Sequence, residues 1–354
     1  MNKFLPYLQK IEQALTEILP KNASEVWQVE TFGKIFRGTD ISYFDELIKP
    51  CNSLVESGGK RWRPLLLVLC AENAAIKNTR RISEENTYLL ASLVEFVHTA
   101  SLIHDDIEDS AKERRGNPSV HISYGMDVAI NAGTWLYFLA SCCIKKMENN
   151  TRLSLYELYT QELRRLHLGQ AMDIFWHKNV DVFPTVESYT AMVRYKTGTL
   201  ASLAVKIGTF AGGGSNLEIE NAGSIASEIG EAFQILDDVQ NLTTGNPGKK
   251  RGDDIVEGKK GLPVLLHIEK NPSDKVKIAN LFEDARLNGI NSSAIEECIS
   301  LFNNSGAIQE AYEKGKTLVR QKSKELASIY TNDEFNLIYE LFDSMLEKME
   351  PGNA

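Results

Sequence analysis

The chain is short of cysteine pairs, of basic charge and of unbroken apolar runs, and each shortage removes a class of function. Its five cysteines, Cys51, Cys70, Cys142, Cys143 and Cys298, form neither a CxxC pair nor a His-containing metal spacing. An odd number cannot close a full set of internal disulfides, so a reducing, cytoplasmic location is expected. Lys and Arg number 39 against 48 Asp and Glu, a formal net charge of −9. No nucleic-acid partner held by a general basic surface is expected, and an anionic ligand would need a local cation cluster.

The longest apolar run, Ala129 to Ile144, is interrupted by Asn131, Thr134 and Ser141. It falls short of the ~20 residues that cross a bilayer, so a buried helix and no transmembrane segment are expected. The N-terminal stretch MNKFLPYLQKIEQALTEILP places Glu12 and Glu17 where a secretory leader needs continuous apolar residues. It reads as an amphipathic helix.

Strand-type alternation, low-complexity tracts, repeats of 20 to 50 residues and Pro- or Ser-rich linkers are also missing. What remains is helical periodicity. Leu89, Leu90, Leu93, Val94 and Val97 form one stripe, and Leu200, Leu203, Ala204 and Ile207 another. Ser83 before Glu84-Glu85 and Thr185 before Val186 are N-cap signals, and Gly212-Gly213-Gly214 ends the run at Phe210. The expected fold is all-α, a single domain over residues 1–354: an N-terminal helical extension at 1–35, a core at 36–300 and closing helices at 301–354. TTGNPGKKRGDD, residues 243–254, is the most loop-like interior segment.

Against this background LIHDDIEDSAKERRG, residues 102–116, concentrates charge. Asp105 and Asp109 are four apart and share a helix face at about 5–6 Å between Cβ atoms. A solvated helix end is the ordinary reading of such a cluster. Here, however, the acids follow a long helical run, at the end where the macrodipole is already negative. A cation would remove the conflict. Paired hard oxygens without His or Cys suit Mg²⁺ completed by phosphate oxygens, and Arg114-Arg115 then fit as phosphate clamps.

FQILDDVQN repeats the arrangement, with Gln234 one turn before Asp237-Asp238 and Asn241 four beyond Asp237. Basic groups stand at Lys60, Arg61 and Arg63 in GGKRWRP, at Lys196 in RYKTG, at Lys249 and Lys250, and at Lys259 in EGKKGLP. GGKR is no P-loop, since Leu54 occupies the required Gly position and Arg61 the Ser or Thr.

Taken in order, GGKRWRP, EFVHTASLIHDDIED, ERRG, GQAMDIFW, YKTGTL, FQILDDVQN and EGKKGLP resemble the trans-isoprenyl diphosphate synthases, all-α prenyltransferases with two aspartate-rich motifs. The resemblance runs from Ser57 to Leu266. It implies an orthogonal helical bundle of the isoprenoid synthase type around a central apolar cavity, and a homodimer in the family's manner. It further implies that Asp105 and Asp109 bind two Mg²⁺ ions and Asp237 a third, with Asp106 and Asp238 supporting them by charge or through water. Lys60, Arg63, His98 and Arg115 would hold isopentenyl diphosphate. Arg114, Lys196, Lys249 and Lys259 would grip an allylic diphosphate. Thr197 and Gln234 would face the developing carbocation, and Gln170 and Asp173 would line the same cavity. Asn241 replaces an Asp found in many members, which puts that position in doubt as a metal ligand.

The reaction so implied joins isopentenyl diphosphate to an allylic diphosphate, lengthening it by five carbons. Four and five residues before Asp105 stand Ser101 and Ala100, where bulky aromatics in this family stop growth at fifteen carbons. With small residues there, Val97 or Phe96 a turn further on would close the pocket, which favours geranylgeranyl diphosphate. Longer- or shorter-chain synthesis, or a non-catalytic subunit of a heteromeric synthase, are the alternatives. A terpene cyclase is disfavoured, because the Asn/Asp-x3-Ser/Thr-x3-Glu pattern fails from both Asp237 and Asn241.

Overall fold

A computed structural model describes residues 2–79, 81–245, 250–331 and 336–349. By chain contacts it divides into two compact units, Met1–Thr160 with Leu203–Ile219, and Gln161–Ser202 with Glu220–Ala354. The fold is all-α. Among the described residues the only strands are two short segments, β1 (Glu113–Arg114) and β2 (Asn117–Pro118), paired antiparallel.

The first unit holds α1 (Leu5–Ile18), α2 (Glu25–Phe32), α3 (Ser42–Glu56), α4 (Trp62–Ala75), α5 (Glu84–Glu108), α6 (Val120–Tyr124) and α7 (Met126–Ala140). Next come α8 (Asn149–Lys178), α9 (Val186–Val193), α10 (Thr199–Ala211) and α11 (Asn216–Thr243); the unit boundaries fall within α8, α10 and α11. The second unit continues with α12 (Asp253–Glu257), α13 (Leu262–Lys270), α14 (Lys275–Asn288), α15 (Ser293–Asn304), α16 (Ala307–Tyr330) and α17 (Leu337–Glu347).

Helix α5 is the axis of the first core. Ser83 caps it, its hydroxyl accepting from the Asn86 N–H at 3.3 Å, and Glu84 and Glu85 complement the positive end of the dipole. Beyond the first turn nearly every side is buried, including Leu89, Leu93, Phe96, Val97, Ala100 and Ile103. Such all-round burial makes it a core helix rather than an amphipathic surface one. It packs against α7, α4 and α1.

The apolar run begins earlier than its sequence boundary suggests. Helix α7 and the 3₁₀ turn after it form a 19-residue stretch, Met126–Ile144, with a mean hydropathy of 1.3. By length and composition this is enough to cross a membrane. Half of it is buried inside the protein, with Ala129, Ala132, Leu136 and Leu139 on the inner side.

In the second unit Thr185 caps α9 through the Ser188 N–H at 3.1 Å. The chain then widens into one π-helical turn, Arg194–Gly198, before α10. The core here gathers Tyr189, Ile235, Val239, Leu262, Leu265, Phe282 and Phe302 from α9, α11, α13, α14 and α15.

Candidate active site

In the first unit the site residues are built around the C-terminal end of α5. Asp105 and Asp109 lie one turn apart, with the Asp109 N–H donating to the Asp105 carbonyl at 2.8 Å. Asp106 turns the other way and is buried, 1% exposed. Its carboxylate accepts from Arg114 Nε at 2.8 Å and from the Nη2 of the same guanidinium. Burial lifts Asp106 above the ordinary carboxylate range, against the opposing pull of Arg114.

Arg114 reaches that carboxylate because the chain doubles back in the β1–β2 hairpin. Arg115 and Gly116 occupy its tip with φ of 54° and 76°, the signs of a type I′ turn. Gly accepts that conformation freely, whereas Arg115 is held there by its side chain, whose Nη1 donates to the Gly58 and Leu54 carbonyls. Beyond the hairpin a cleft of about 390 Å³ is lined by Ser53, Ser57, Arg114, Asn117, Ser119 and Tyr124, among others.

The basic groups of GGKRWRP separate by role. Arg61 points inward, 5% exposed, donating to Glu12 at 2.7 Å, Glu95 at 2.6 Å and the Val55 carbonyl at 2.6 Å. Arg63 lies over the Trp62 ring, 4.5 Å from its centroid, and its Nη1 stands 3.3 Å from His98 Nε2. Lys60 is exposed. Burial, and then the charges of Arg63, Arg115, Arg114 and Arg61, hold His98 well below the usual imidazole range. The neutral ring therefore accepts at Nε2 from Arg63 and carries its proton on Nδ1.

Phe96, Val97 and Ala100 are fully buried on α5, and the half-buried Ser101 donates its hydroxyl to the His98 carbonyl at 2.7 Å.

In the second unit the neighbours Asp237 and Asp238 part in the same way as Asp105 and Asp106. Asp237 is exposed; Asp238 is buried and surrounded by donors. The Tyr189 hydroxyl donates to its Oδ2 at 2.6 Å, the Leu262 N–H to the same oxygen at 3.1 Å, and Gln234 Nε2 to Oδ1 at 3.0 Å. Burial and then the Asp254 charge push Asp238 up to about 7, while the three hydrogen bonds pull down. Gln234 Oε1 in turn accepts from the Thr197 hydroxyl at 2.9 Å. Lys196 Nζ lies 2.6 Å from Asp173 Oδ2, and Lys259 Nζ 2.6 Å from Glu257. Lys249 lies outside the described residues.

Asn241 is fully buried and its Oδ1 accepts from the Asp254 N–H at 3.2 Å, steadying the start of α12. Its side-chain oxygen thus serves the backbone.

Two features are missing from the reading by spacing. One is Tyr189, hidden among the apolar residues of α9. The other is the set of glycines that lets helices touch at the π turn: a Cβ on Gly230 would sit 2.6 Å from Gly198 Cα, and one on Gly169 would strike the backbone at Lys196. A glycine inside a helix-forming run, as in EIGEAFQ, is the available signal.

No three Asp, Glu, His or Cys side chains among the described residues gather so as to hold a metal ion by themselves. Carboxylate pairs of this kind fit Mg²⁺, which is usually bound by one or two carboxylates and takes further ligands from water and substrate phosphates.

Each unit thus carries an aspartate pair on a long helix, one member turned inward: Asp106 held by Arg114 in the first, Asp238 held by Tyr189 and the Gln234–Thr197 pair in the second. Residues 44–301 match the polyprenyl synthetase family, and the chain belongs to that family. It is 33% identical over 285 residues to a geranylgeranyl pyrophosphate synthase of Penicillium crustosum, covering 78% of this chain and 76% of that protein. A geranylgeranyl pyrophosphate synthase of Aspergillus flavus is 34% identical over 252 residues, 70% of this chain and 69% of its own length. Among solved structures, the geranylgeranyl pyrophosphate synthetase of Pyrococcus horikoshii superposes with a TM-score of 0.77 at 27% identity, over 98% of this chain and 97% of that one. The chain is accordingly a prenyltransferase with the isoprenoid synthase fold.

Proposed function

We propose that the protein condenses isopentenyl diphosphate with an allylic diphosphate (dimethylallyl, geranyl or farnesyl) to give all-trans geranylgeranyl diphosphate. It does so with Mg²⁺, as a cytoplasmic homodimer. The observation that carries the product length is the stretch of α5 before Asp105: Ala100 is small and fully buried, Ser101 small and half-buried, and Phe96 and Val97, either of which would close a pocket there, are fully buried a turn further on. The names of the fungal and archaeal relatives agree with that length.

Asp105 and Asp109 would hold two Mg²⁺ ions and Asp237 a third. Bound there, the metal would supply positive charge against that building on the leaving diphosphate. The chain's own residues do the rest. Arg114, anchored by Asp106, together with Lys196 and Lys259 binds the allylic diphosphate, while Lys60, Arg63 and Arg115 bind the other substrate beside neutral His98. Thr197 and Gln234 present oxygen to the allylic cation as the carbon–oxygen bond breaks. The double bond of isopentenyl diphosphate then attacks that cation, and a proton leaves the adduct to the released diphosphate. Positioning the two carbons supplies much of the acceleration, and excluding water prevents capture of the cation as an alcohol.

The dimer is supported by α7, whose outer stripe Met126, Ile130 and Phe138 is 49%, 46% and 71% exposed at spacings of four and eight. The five cysteines are all free thiols, in keeping with a reducing compartment. Incubating the purified protein with Mg²⁺, labelled isopentenyl diphosphate and farnesyl diphosphate tests the reading. A twenty-carbon diphosphate is expected; absence of elongation with every allylic primer overturns it.

A further inference from the structure

The resemblance gives Asp238 a role supporting the metal by charge or through water, whereas in the structure both of its oxygens are taken by protein donors. On α11, a step of one residue turns the side chain by about 100°, so Asp237 and Asp238 cannot share a face. Asp238 is 8% exposed, and both of its oxygens accept from protein donors: Tyr189 Oη, the Leu262 N–H and Gln234 Nε2. The start of α13 is pressed onto the carboxylate, since a Cβ on Gly261 would lie 2.7 Å from Oδ2.

The consequence falls on Gln234. While Asp238 is ionised the amide is held this way round, because turned over its oxygen would face Asp238 Oδ1 and leave two acceptors opposed. Oε1 must point the other way, and there it accepts the Thr197 proton at 2.9 Å. The Thr197 hydroxyl, its proton directed at Gln234, offers only lone pairs to whatever lies beyond it. The contact of Gly198 with Gly230, one turn before Gln234, is what brings the π turn close enough for this bond.

We propose that Asp238 and Tyr189 are positioning residues that set the polarity of the Gln234–Thr197 pair, so that Thr197 presents lone pairs and not a proton to the allylic cation. Neither residue touches substrate or metal. The inference rests on the reading of Thr197 and Gln234 as cation-facing groups. A hydroxyl turned the other way would set a positive proton against developing positive charge, and the barrier would rise.

The substitutions Y189F, D238N and D238N/Q234E separate this role from others. In D238N the new amide nitrogen meets Gln234 Nε2, so Gln234 flips and the Thr197 hydroxyl is reversed. In D238N/Q234E a carboxylate at position 234 accepts both from the amide introduced at position 238 and from Thr197, which restores the outward lone pairs. With the full-length protein, Mg²⁺ and both diphosphates, kcat is expected to fall about tenfold or more in D238N and less in Y189F. Both KM values and the Mg²⁺ concentration for half-activation stay within about twofold of wild type, and the double variant recovers at least about threefold over D238N.

A shifted Mg²⁺ requirement in D238N would make Asp238 a metal-binding group and overturn the proposal. So would unchanged kcat in soluble, folded D238N and Y189F, or a double variant no better than D238N. The side-chain amide resonance of Gln234 provides a readout without turnover: its shift should move in Y189F and D238N, and an unmoved resonance also overturns the assignment. Should wild type elongate nothing while the resonance moves, the polarity of the pair stands and the prenyl-transfer reading falls.

Discussion

Arg114 Nε stands 2.8 Å from Asp106 Oδ1, tying the β1–β2 hairpin to the inner side of the helix end whose outer side bears Asp105 and Asp109. The two neighbouring aspartates therefore answer to different demands, and substitution should separate them. Asp105→Ala removes a carboxylate assigned to Mg²⁺: turnover is expected to vanish, with the circular dichroism spectrum and melting temperature retained. Asp106→Ala strands a three-quarters-buried guanidinium, and breaking a buried pair from one side costs about 3 kcal/mol. A lower denaturation midpoint with unchanged m-value is expected for Asp106→Ala alone. Near-normal activity in Asp105→Ala would remove the metal assignment.

Filling α5 from the inside should shorten the product. Ala100 is fully buried, so Ala100→Phe projects an aromatic ring into the interior ahead of Asp105. Chromatography of the dephosphorylated products is expected to show fifteen-carbon material replacing the longer alcohol at a comparable total rate. An unchanged product profile would place the growing chain elsewhere.

His98 gives a pH dependence whose sign follows from its depressed basicity. Below about pH 6.5 the unfolded imidazole binds a proton that the folded one, buried beside Arg63 and Arg115, does not. At this site the unfolded state then holds more protons, so the contribution of His98 to the free energy of unfolding falls as the pH drops, opposite in sign to that of Asp238, whose carboxyl is raised in the fold. Denaturant titrations of the substrate-free protein from neutral to mildly acidic pH should show wild type losing stability relative to His98→Gln. Equal slopes for the two proteins would mean that His98 titrates normally.

The α7 stripe bears on assembly. Ile130→Asp with Phe138→Asp places two charges on an exposed apolar face, where a partner copy would have to bury them at several kcal/mol. Sedimentation should show the wild type as a dimer and the double variant as a monomer with intact helicity. A wild-type monomer would dismiss the homodimer outright.

The outline of all this can be read from residue spacing, because helical periodicity and cap chemistry are local. Ser83 and Thr185 are recognisable as caps from their neighbours alone, and both hydroxyls accept the expected N–H. Spacing also puts Asp105 with Asp109 and Gln234 near Asp238. It cannot say which of two adjacent aspartates turns inward, since that depends on partners distant in the chain: Arg114 for Asp106, Tyr189 and Leu262 for Asp238. For the same reason GGKRWRP does not disclose that Arg61 is taken up by Glu12 and Glu95. The π turn at RYKTG has no local signature, because it is the close approach of glycines from α8 and α11 that leaves room for it.

That close approach yields the sharpest geometric test. Gly230 meets Gly198 with no room for a methyl group: the added Cβ would lie 2.6 Å from the Gly198 Cα and 3.3 Å from the Thr197 carbonyl oxygen. Backbone cannot yield as a side-chain tip does, so Gly230→Ala must push α11 away from the π turn by a good fraction of an ångström. Overpacking of this size costs about 1–3 kcal/mol, which a well-buried unit can survive. A hydrogen bond of 2.9 Å between Thr197 and Gln234 cannot survive the same displacement, since lengthening it past about 3.5 Å removes it. Gly230→Ala is therefore expected to remain folded with a modestly lowered melting temperature while kcat falls by more than the loss of stability accounts for, and the KM for isopentenyl diphosphate, whose proposed binding groups are all in the first unit, stays unchanged. Full kcat in a folded Gly230→Ala protein would show that the glycine contact serves packing alone.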